Sequence, residues 1–319
     1  MSNFKELGIS YFGPSTFFKA PMVDINAEWS ADIAALGVPF DQGAGFRSGA
    51  RWGSRAIRDM SVRFSSVSAP GSPGFWDMRS NLDKAVCKFV DCGDVEIVPL
   101  MWEANFDRIT EAVRSILDHK AIPFIFGGDH SITFPIMRAY EHLGPITVVQ
   151  FDAHIDYRDE AMGVRYGHGN VLRRVRELTW VEKVVAIGIR SSRTRKVDYD
   201  DSLADGNVII HAWDVHSKRM EELAALLPKD RNVYITFDID GMDAAIAPGT
   251  GTPEVGGLDY EQARSILEHI CVNNKIIGMD LVELNPNFDQ QQITALLANQ
   301  LLLEVAGFIH SREPLHHPK

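Results

Sequence analysis

Two short stretches constrain this chain more than the rest of it: FDAHID at 151–156 and FDID at 237–240, each closing an apolar run of strand length. Ile146, Val148 and Val149 lead into Phe151, and Val233 leads through to Phe237. Runs so rich in β-branched and aromatic residues read as buried strands. With extended geometry carried through each motif, period two points Asp152, His154 and Asp156 to one side, and Asp238 and Asp240 likewise. Four carboxylates aimed into one desolvated place repel each other, so the cluster either takes up protons or admits cations. Divalent metal is the economical answer.

A third segment, GGDHS at 127–131, follows the apolar run from Ala121 to Phe126 and offers His130 at another strand end. The candidate ligands are then His130, Asp152, His154, Asp156, Asp238 and Asp240. They are too many for one tetrahedral zinc and suit two ions that share carboxylates. Oxygen-rich ligation with two imidazoles suits Mn²⁺, although the affinity order also admits Ni²⁺, Co²⁺ or Zn²⁺. A lone Asp at a strand end is ordinarily a cap or a turn residue. Three segments sharing one pattern are harder to read that way.

The composition is that of an ordinary soluble enzyme. The chain has 319 residues, 45% hydrophobic and 24% charged, enough to bury one large core, and a single domain is expected over 1–319. The first 30 or so residues read as an extension and about eight at the end as a tail, where His316 and His317 lie between prolines. The net charge of −11 speaks against a surface that tracks phosphates, so no nucleic-acid partner is expected. No membrane partner is expected either, because no apolar stretch reads as long enough to cross a bilayer and MSNFKELGIS lacks the apolar core of a secretory signal. Cys87, Cys92 and Cys271 are odd in number, widely spaced and form no CxxC, which fits reduced thiols and a cytoplasmic setting.

Short apolar runs alternate with segments of helical period. Strands are expected near 31–38, 87–91, 121–126, 146–152, 183–188, 207–211, 232–239 and 275–281. Between them, Asn105 to Leu117 places Ile109, Val113 and Ile116 on one face, and Tyr260 to Ile270 does so with Ala263, Ile266 and Ile270. Ile293 to Ile309 is an apolar helix suited to burial against a sheet. This alternation predicts an α/β fold with a mainly parallel, doubly wound sheet and helices on both faces. In such sheets the ligand crevice opens beyond the carboxyl ends of the strands, where every candidate ligand falls.

GGDHS, FDAHID and FDIDGMDAAIAPGTGTPEVGG, with GVPFDQGAGFRSGARWGSRAIR near the start, DCGD at 91–94 and IGIR at 187–190, resemble the ureohydrolase (arginase/agmatinase) family. FWDMRSNLDKAV and NFDQQQITALLA look more like its agmatinase branch than like arginases, and the likeness runs from Ala31 to Val305. The resemblance implies an arginase-like three-layer α/β/α fold, a dinuclear Mn²⁺ site and a homo-oligomer, trimer or hexamer. It implies cleavage of a guanidino C–N bond by metal-bound hydroxide, giving urea and an amine, with agmatine to putrescine as the leading reaction. By motif, His130, Asp152, Asp156 and Asp238 would hold one metal, and Asp152, His154, Asp238 and Asp240 the other, so that Asp152 and Asp238 bridge. His168, in YGHGN, matches the family's proton-shuttling histidine. Glu283, in DLVELNP, matches the carboxylate that hydrogen-bonds the substrate guanidinium, a planar fork suited to it. Asp129 and Asp243 would orient ligands or cap turns. Arg47, Arg51, Arg55 and Arg58 read as helix-face and intersubunit ion-pair residues.

The chemistry agrees with the resemblance. A guanidinium carbon is a poor electrophile, and two metals bring the pKa of a bound water from 15.7 toward about 7. The departing amine needs a proton, hence a carrier nearby. The chain departs from the family pattern at Ala244, where proline is usual, at Asn170, where threonine is usual, and over Leu284 to Asn287. The loop from Tyr157 to Gly167, with Arg158 and Arg165 beside Asp159 and Glu160, is placed to decide which substrate tail is tolerated. Guanidinobutyrate, guanidinopropionate and small alkylguanidines are therefore alternative substrates. A mononuclear zinc deacetylase uses a similar DxH and a later Asp, but His130 and the complete Asp238, Asp240 pair favour two metals. A non-catalytic subunit would be expected to have lost ligands, and none is missing.

Overall fold

The structure, a computed structural model, describes residues 13–68, 74–79, 81–84 and 87–312. Among the described residues, ten strands run in chain order: β1 Ile33–Val38, β2 Phe75–Asp77, β3 Leu82–Lys84, β4 Phe89–Asp94, β5 Ile122–Gly127, β6 Ile146–Phe151, β7 Val181–Ile189, β8 Val208–His211, β9 Asn232–Asp238 and β10 Lys275–Val282. Eight of them form one sheet in the order β4-β1-β5-β10-β9-β6-β7-β8, every pair parallel. Each of these eight falls where an apolar run predicts it. The small antiparallel hairpin β2–β3 was not foreseen.

Parallel strands buried on both faces read as continuous apolar runs; β1 does so throughout, and β6 and β10 do so apart from polar residues such as Gln150 and Asp280. The two faces pack into separate cores. One takes in Ile235, Phe237, Met279 and Leu281 with the helices Tyr260–Asn273 and Ile293–Arg312. The other takes in Val148, Tyr234 and Val282 with the helix Trp102–Asp118. This is the three-layer α/β/α arrangement.

Residues 293–311 are long and apolar enough to cross a bilayer by length and composition, which corrects the expectation that no stretch is. The helix is 72% buried within the fold, as the apolar-helix reading anticipates. The described part of the N-terminal extension also enters the core: Phe17 and Phe18 are buried, Phe17 packing on Phe89 and Phe126. Arg51 pairs with Asp41, and Arg58, on the helix Gly53–Ser61, pairs with Asp91 and Asp94. The tail histidines His316 and His317 lie outside the described residues.

Register positions the site. Phe151 of β6 pairs with Phe237 of β9, their rings stacked at 4.8 Å, so Asp152 and Asp238 leave the sheet side by side. β5 and β6 lie on opposite sides of the β10–β9 pair, and the crevice opens where the chain order divides. Close backbone approach sets the loops above it. A Cβ on Gly128 would fall 1.9 Å from the Phe40 carbonyl oxygen, and one on Gly241 would fall 2.8 Å from the Asp152 nitrogen.

Candidate metal centre and substrate cleft

β6 ends at Phe151, so Asp152, His154 and Asp156 do not alternate along a strand as expected; they occupy an irregular loop. Asp152 Oδ1 accepts the His154 backbone N–H at 2.6 Å and curls the chain over. Asp156 completes the bend with φ of 48°, a left-handed conformation that Asp tolerates better than most residues. Asp238 is the last residue of β9, and its side chain caps the turn Ile239–Gly241 by accepting the Asp240 N–H at 2.9 Å. Hydrogen bonds, rather than strand periodicity, aim these carboxylates together.

The ligating atoms fall into two groups. His130, Asp152 and Asp238 form one, and Asp152, His154 and Asp240 the other, with the atoms of each within 4.8 Å of one another. Asp152 belongs to both. His130 Nδ1 is buried with no hydrogen-bond partner, and it faces carboxylate oxygens of Asp152 and Asp156 at 3.1 Å and of Asp238 at 3.5 Å. An orphaned buried imidazole nitrogen among three carboxylates is a position a divalent cation fits. His154 Nδ1 faces Asp240 at 3.1 Å and Asp152 at 3.5 Å.

Without a cation the electrostatics are poor. Burial and the neighbouring Asp240 and Asp152 push Asp238 well above the usual carboxylate range, and burial raises Asp156 and Asp240. Burial alone would lower His154, but Asp240 and Asp152 outweigh it and raise the ring to about 12. A protonated imidazole cannot ligate, so metal entry displaces protons from this cluster.

His168 and Glu283, 115 residues apart, meet at the edge of the centre. Glu283 follows β10 with φ of 62°, which costs a non-glycine residue roughly 1–2 kcal/mol. Its N–H donates to Gly128 O at 2.9 Å, and its Oε1 accepts from the His130 N–H at 2.9 Å. His168 Nδ1 lies 3.0 Å from the same oxygen. Burial alone would lower His168, and Glu283 outweighs it, holding the ring up to about 9. The Gly45 N–H points at Nε2 from 3.2 Å, a contact that only the neutral ring accepts. A neutral ring with its hydrogen on Nδ1 makes both contacts, and the charge of Glu283 is what favours a second proton near neutrality.

His154, Asp156 and Asp238 line a cleft of about 400 Å³ whose walls include Phe46, Tyr157, Met162 and Val164. Farther out lie Arg158, Arg193 and Asp198. Both Asp198 oxygens are engaged by Arg195, at 2.5 and 2.7 Å, and Arg158 approaches within 3.8 Å. Arg193 is exposed and has no carboxylate in ion-pair reach among the described residues.

Asp129 and Asp243 cap turns as expected: Asp129 accepts from Ser131 and Gly43, Asp243 from Ala245 and Gly257. Sequence reasoning missed Gln150, whose amide donates to Asp152 at 2.7 Å, and Thr252, whose hydroxyl donates to Asp240 at 2.9 Å. It missed Glu254, 3.5 Å from His154 Nε2, and the guanidinium of Arg190, which binds the Asp240, Met242 and Glu254 carbonyls and staples two loops. Gln150 was legible, as a polar residue inside an apolar run two positions before Asp152.

Comparison with known proteins agrees with this geometry. The arginase family profile matches residues 31–307. A guanidinobutyrase of Pseudomonas aeruginosa is 38% identical over 308 residues, covering 92% of this chain and 91% of that protein. A mitochondrial agmatinase of Gallus gallus is 39% identical over 280 residues, covering 86% and 80%. Among solved structures, the proclavaminate amidino hydrolase of Streptomyces clavuligerus superposes with a TM-score of 0.84 at 30% identity, covering 96% of this chain and all of that one. With its motifs, its fold and nearly its whole length accounted for, the chain belongs to the arginase family of ureohydrolases, in the agmatinase-like branch.

Proposed function

We propose that this chain is a dinuclear-metal amidinohydrolase that cleaves the bond between the guanidino carbon and the alkyl-bearing nitrogen of a linear substrate to release urea and an amine, agmatine to putrescine being the leading reaction. The observation that carries the reading is the pair of ligand groups sharing Asp152 beneath a cleft lined by His168, with the buried Glu283 held against that histidine. His130, Asp152, Asp156 and Asp238 would hold one divalent ion, and Asp152, His154, Asp238 and Asp240 the other, with Mn²⁺ the best match to the donor set. Bound there, two dications supply positive charge that activates water at neutral pH.

The chain's own residues do the rest. Glu283 presents a carboxylate to the planar guanidinium, and its strained backbone, held by Gly128 and His130, keeps that oxygen in place. Phe46, Met162 and Val164 line an apolar passage for the methylene chain. His168 holds the proton that the departing amine requires. Raised to about 9, the ring is protonated at neutral pH and loses its proton as pH climbs through that value. Turnover limited by amine departure should therefore fall above about 9, and His168→Asn should lower kcat and erase this alkaline limb; a pH–rate profile of the variant with the limb unmoved would remove the shuttle role.

A second reading, a guanidino acid in place of agmatine, is favoured by the outer wall. Asp198, the carboxylate that could take an ammonium tail, is already engaged by Arg195, while Arg193 stands unpaired among the described residues. The P. aeruginosa guanidinobutyrase fits the same reading. The test is urea release by the Mn²⁺-loaded and the Ni²⁺-loaded protein from agmatine, arginine, guanidinobutyrate, guanidinopropionate and short alkylguanidines. Preference for agmatine supports the leading reading, and preference for guanidinobutyrate the second. No urea from any of them, with two metals bound, would overturn both. We further propose one domain over 1–319, a homo-oligomer and a reducing cytoplasmic compartment, from the family resemblance and the spacing of the cysteines.

A further inference from the structure

Asp280 is a carboxylate in the middle of β10, fully buried in a run that is otherwise apolar. A carboxylate there is costly unless its oxygens are satisfied. Three hydroxyls satisfy them: Thr236 donates to Oδ1 at 2.6 Å, and Tyr234 at 2.8 Å and Thr133 at 3.0 Å donate to Oδ2. Thr236 faces Asp280 in register on the adjacent strand β9, and its oxygen lies 2.9 Å from His130 Nε2. A hydroxyl has one proton to give. Thr236 spends it on the carboxylate, so toward His130 its oxygen is an acceptor, and Nε2 must carry the hydrogen.

We infer that Asp280, acting through Thr236, is a positioning residue that fixes His130 with its hydrogen on Nε2 and its bare Nδ1 toward Asp152, Asp156 and Asp238. The inference rests on the two-metal reading above and adds to it the device that makes one of its two positions competent. A ligating histidine whose far nitrogen donates to a fixed acceptor keeps its orientation and the tautomer that binds. Here the carboxylate works at one remove, because the threonine converts its demand for a proton into an acceptor for the imidazole. His154 is served separately: its Nε2 faces Glu254, which accepts from Ser191 at 2.7 Å. The two metal positions thus have independent supports.

The experiment measures Mn²⁺ binding to the whole protein by equilibrium titration, with stoichiometry from elemental analysis and the exchange-coupled Mn²⁺ signal from electron paramagnetic resonance. Asp280→Asn offers Thr236 an amide in place of a carboxylate, and Thr236→Val keeps the volume and removes the hydroxyl. Each should weaken one of the two ions by about 10–100-fold, leave the other unchanged, and remove the coupled signal at limiting Mn²⁺. Thr236→Ser should restore wild-type binding. Tyr234→Phe, which removes a donor to Asp280 outside the relay, should leave both ions in place. Should Asp280→Asn fail to fold, the threonine pair decides the matter. Two ions bound with wild-type affinity by Thr236→Val, or equal weakening by Thr236→Val and Thr236→Ser, would overturn the relay. A wild-type protein that holds fewer than two ions would overturn the two-metal reading itself and the relay with it.

Discussion

Asp152→Asn should yield a folded chain that holds at most one divalent ion and releases no urea above background. Asp152 belongs to both ligand groups, and it is fully buried between His130 and His154. Burial alone would raise its carboxyl, but the adjacent His130 and His154 rings outweigh this and hold it below the usual range. It is the anion around which the two imidazoles are arranged. An asparagine keeps the shape and can still accept the His154 N–H, so the loop should survive. What it lacks is the charge needed to bring two dications close together. The measurement is metal content by elemental analysis beside circular dichroism and urea release. Two ions at full occupancy in a folded Asp152→Asn would show that Asp152 is not a bridge.

Glu283→Gln should separate metal binding from substrate binding. The amide oxygen can still accept from the His130 and His168 nitrogens, so both ions should remain. The variant loses a charged hydrogen bond to the substrate guanidinium, worth about 1.5–3 kcal/mol. That corresponds to roughly a 10–150-fold loss in kcat/KM. A second effect has a definite sign. Glu283 is what holds His168 up to about 9 against burial; without the carboxylate the ring drops, and the alkaline limb should move to lower pH. Unchanged kinetics and an unmoved limb would take Glu283 out of the substrate site. The cost in stability should be small, because the left-handed backbone at position 283 suits glutamine no worse than glutamate.

Much of this was legible in the linear chain, for a physical reason. Strands covered on both faces are mostly apolar, so the eight members of the sheet stand out as short apolar runs, and the chain turns polar where most of them end at the crevice. The hairpin β2–β3 escaped because three-residue strands leave no period to detect. Asp280 escaped although its signal was present: a carboxylate inside IIGMDLV contradicts the apolar pattern around it, and the contradiction points to a job. The outer wall of the cleft escaped for a different reason. Arg193 and Asp198 belong to one segment, Arg158 to another, and no local pattern says which of these charges neutralise one another.

The linear chain marked the eight strands of the main sheet, the parallel α/β architecture and six candidate metal ligands, because apolar runs and clustered carboxylates are local properties. Only the tertiary structure decided how those residues face each other. Asp152 and Asp238 stand side by side because Phe151 and Phe237 are in register, and His154 and Asp156 turn inward through hydrogen bonds within a loop rather than through strand alternation. His168 reaches Glu283, and Thr236 carries the influence of Asp280 to His130, across separations of 115 and 44 residues that strand order alone brings within hydrogen-bond reach. Local chemistry is written in neighbouring residues; which distant groups share protons and charge depends on the order and register in which the strands pack.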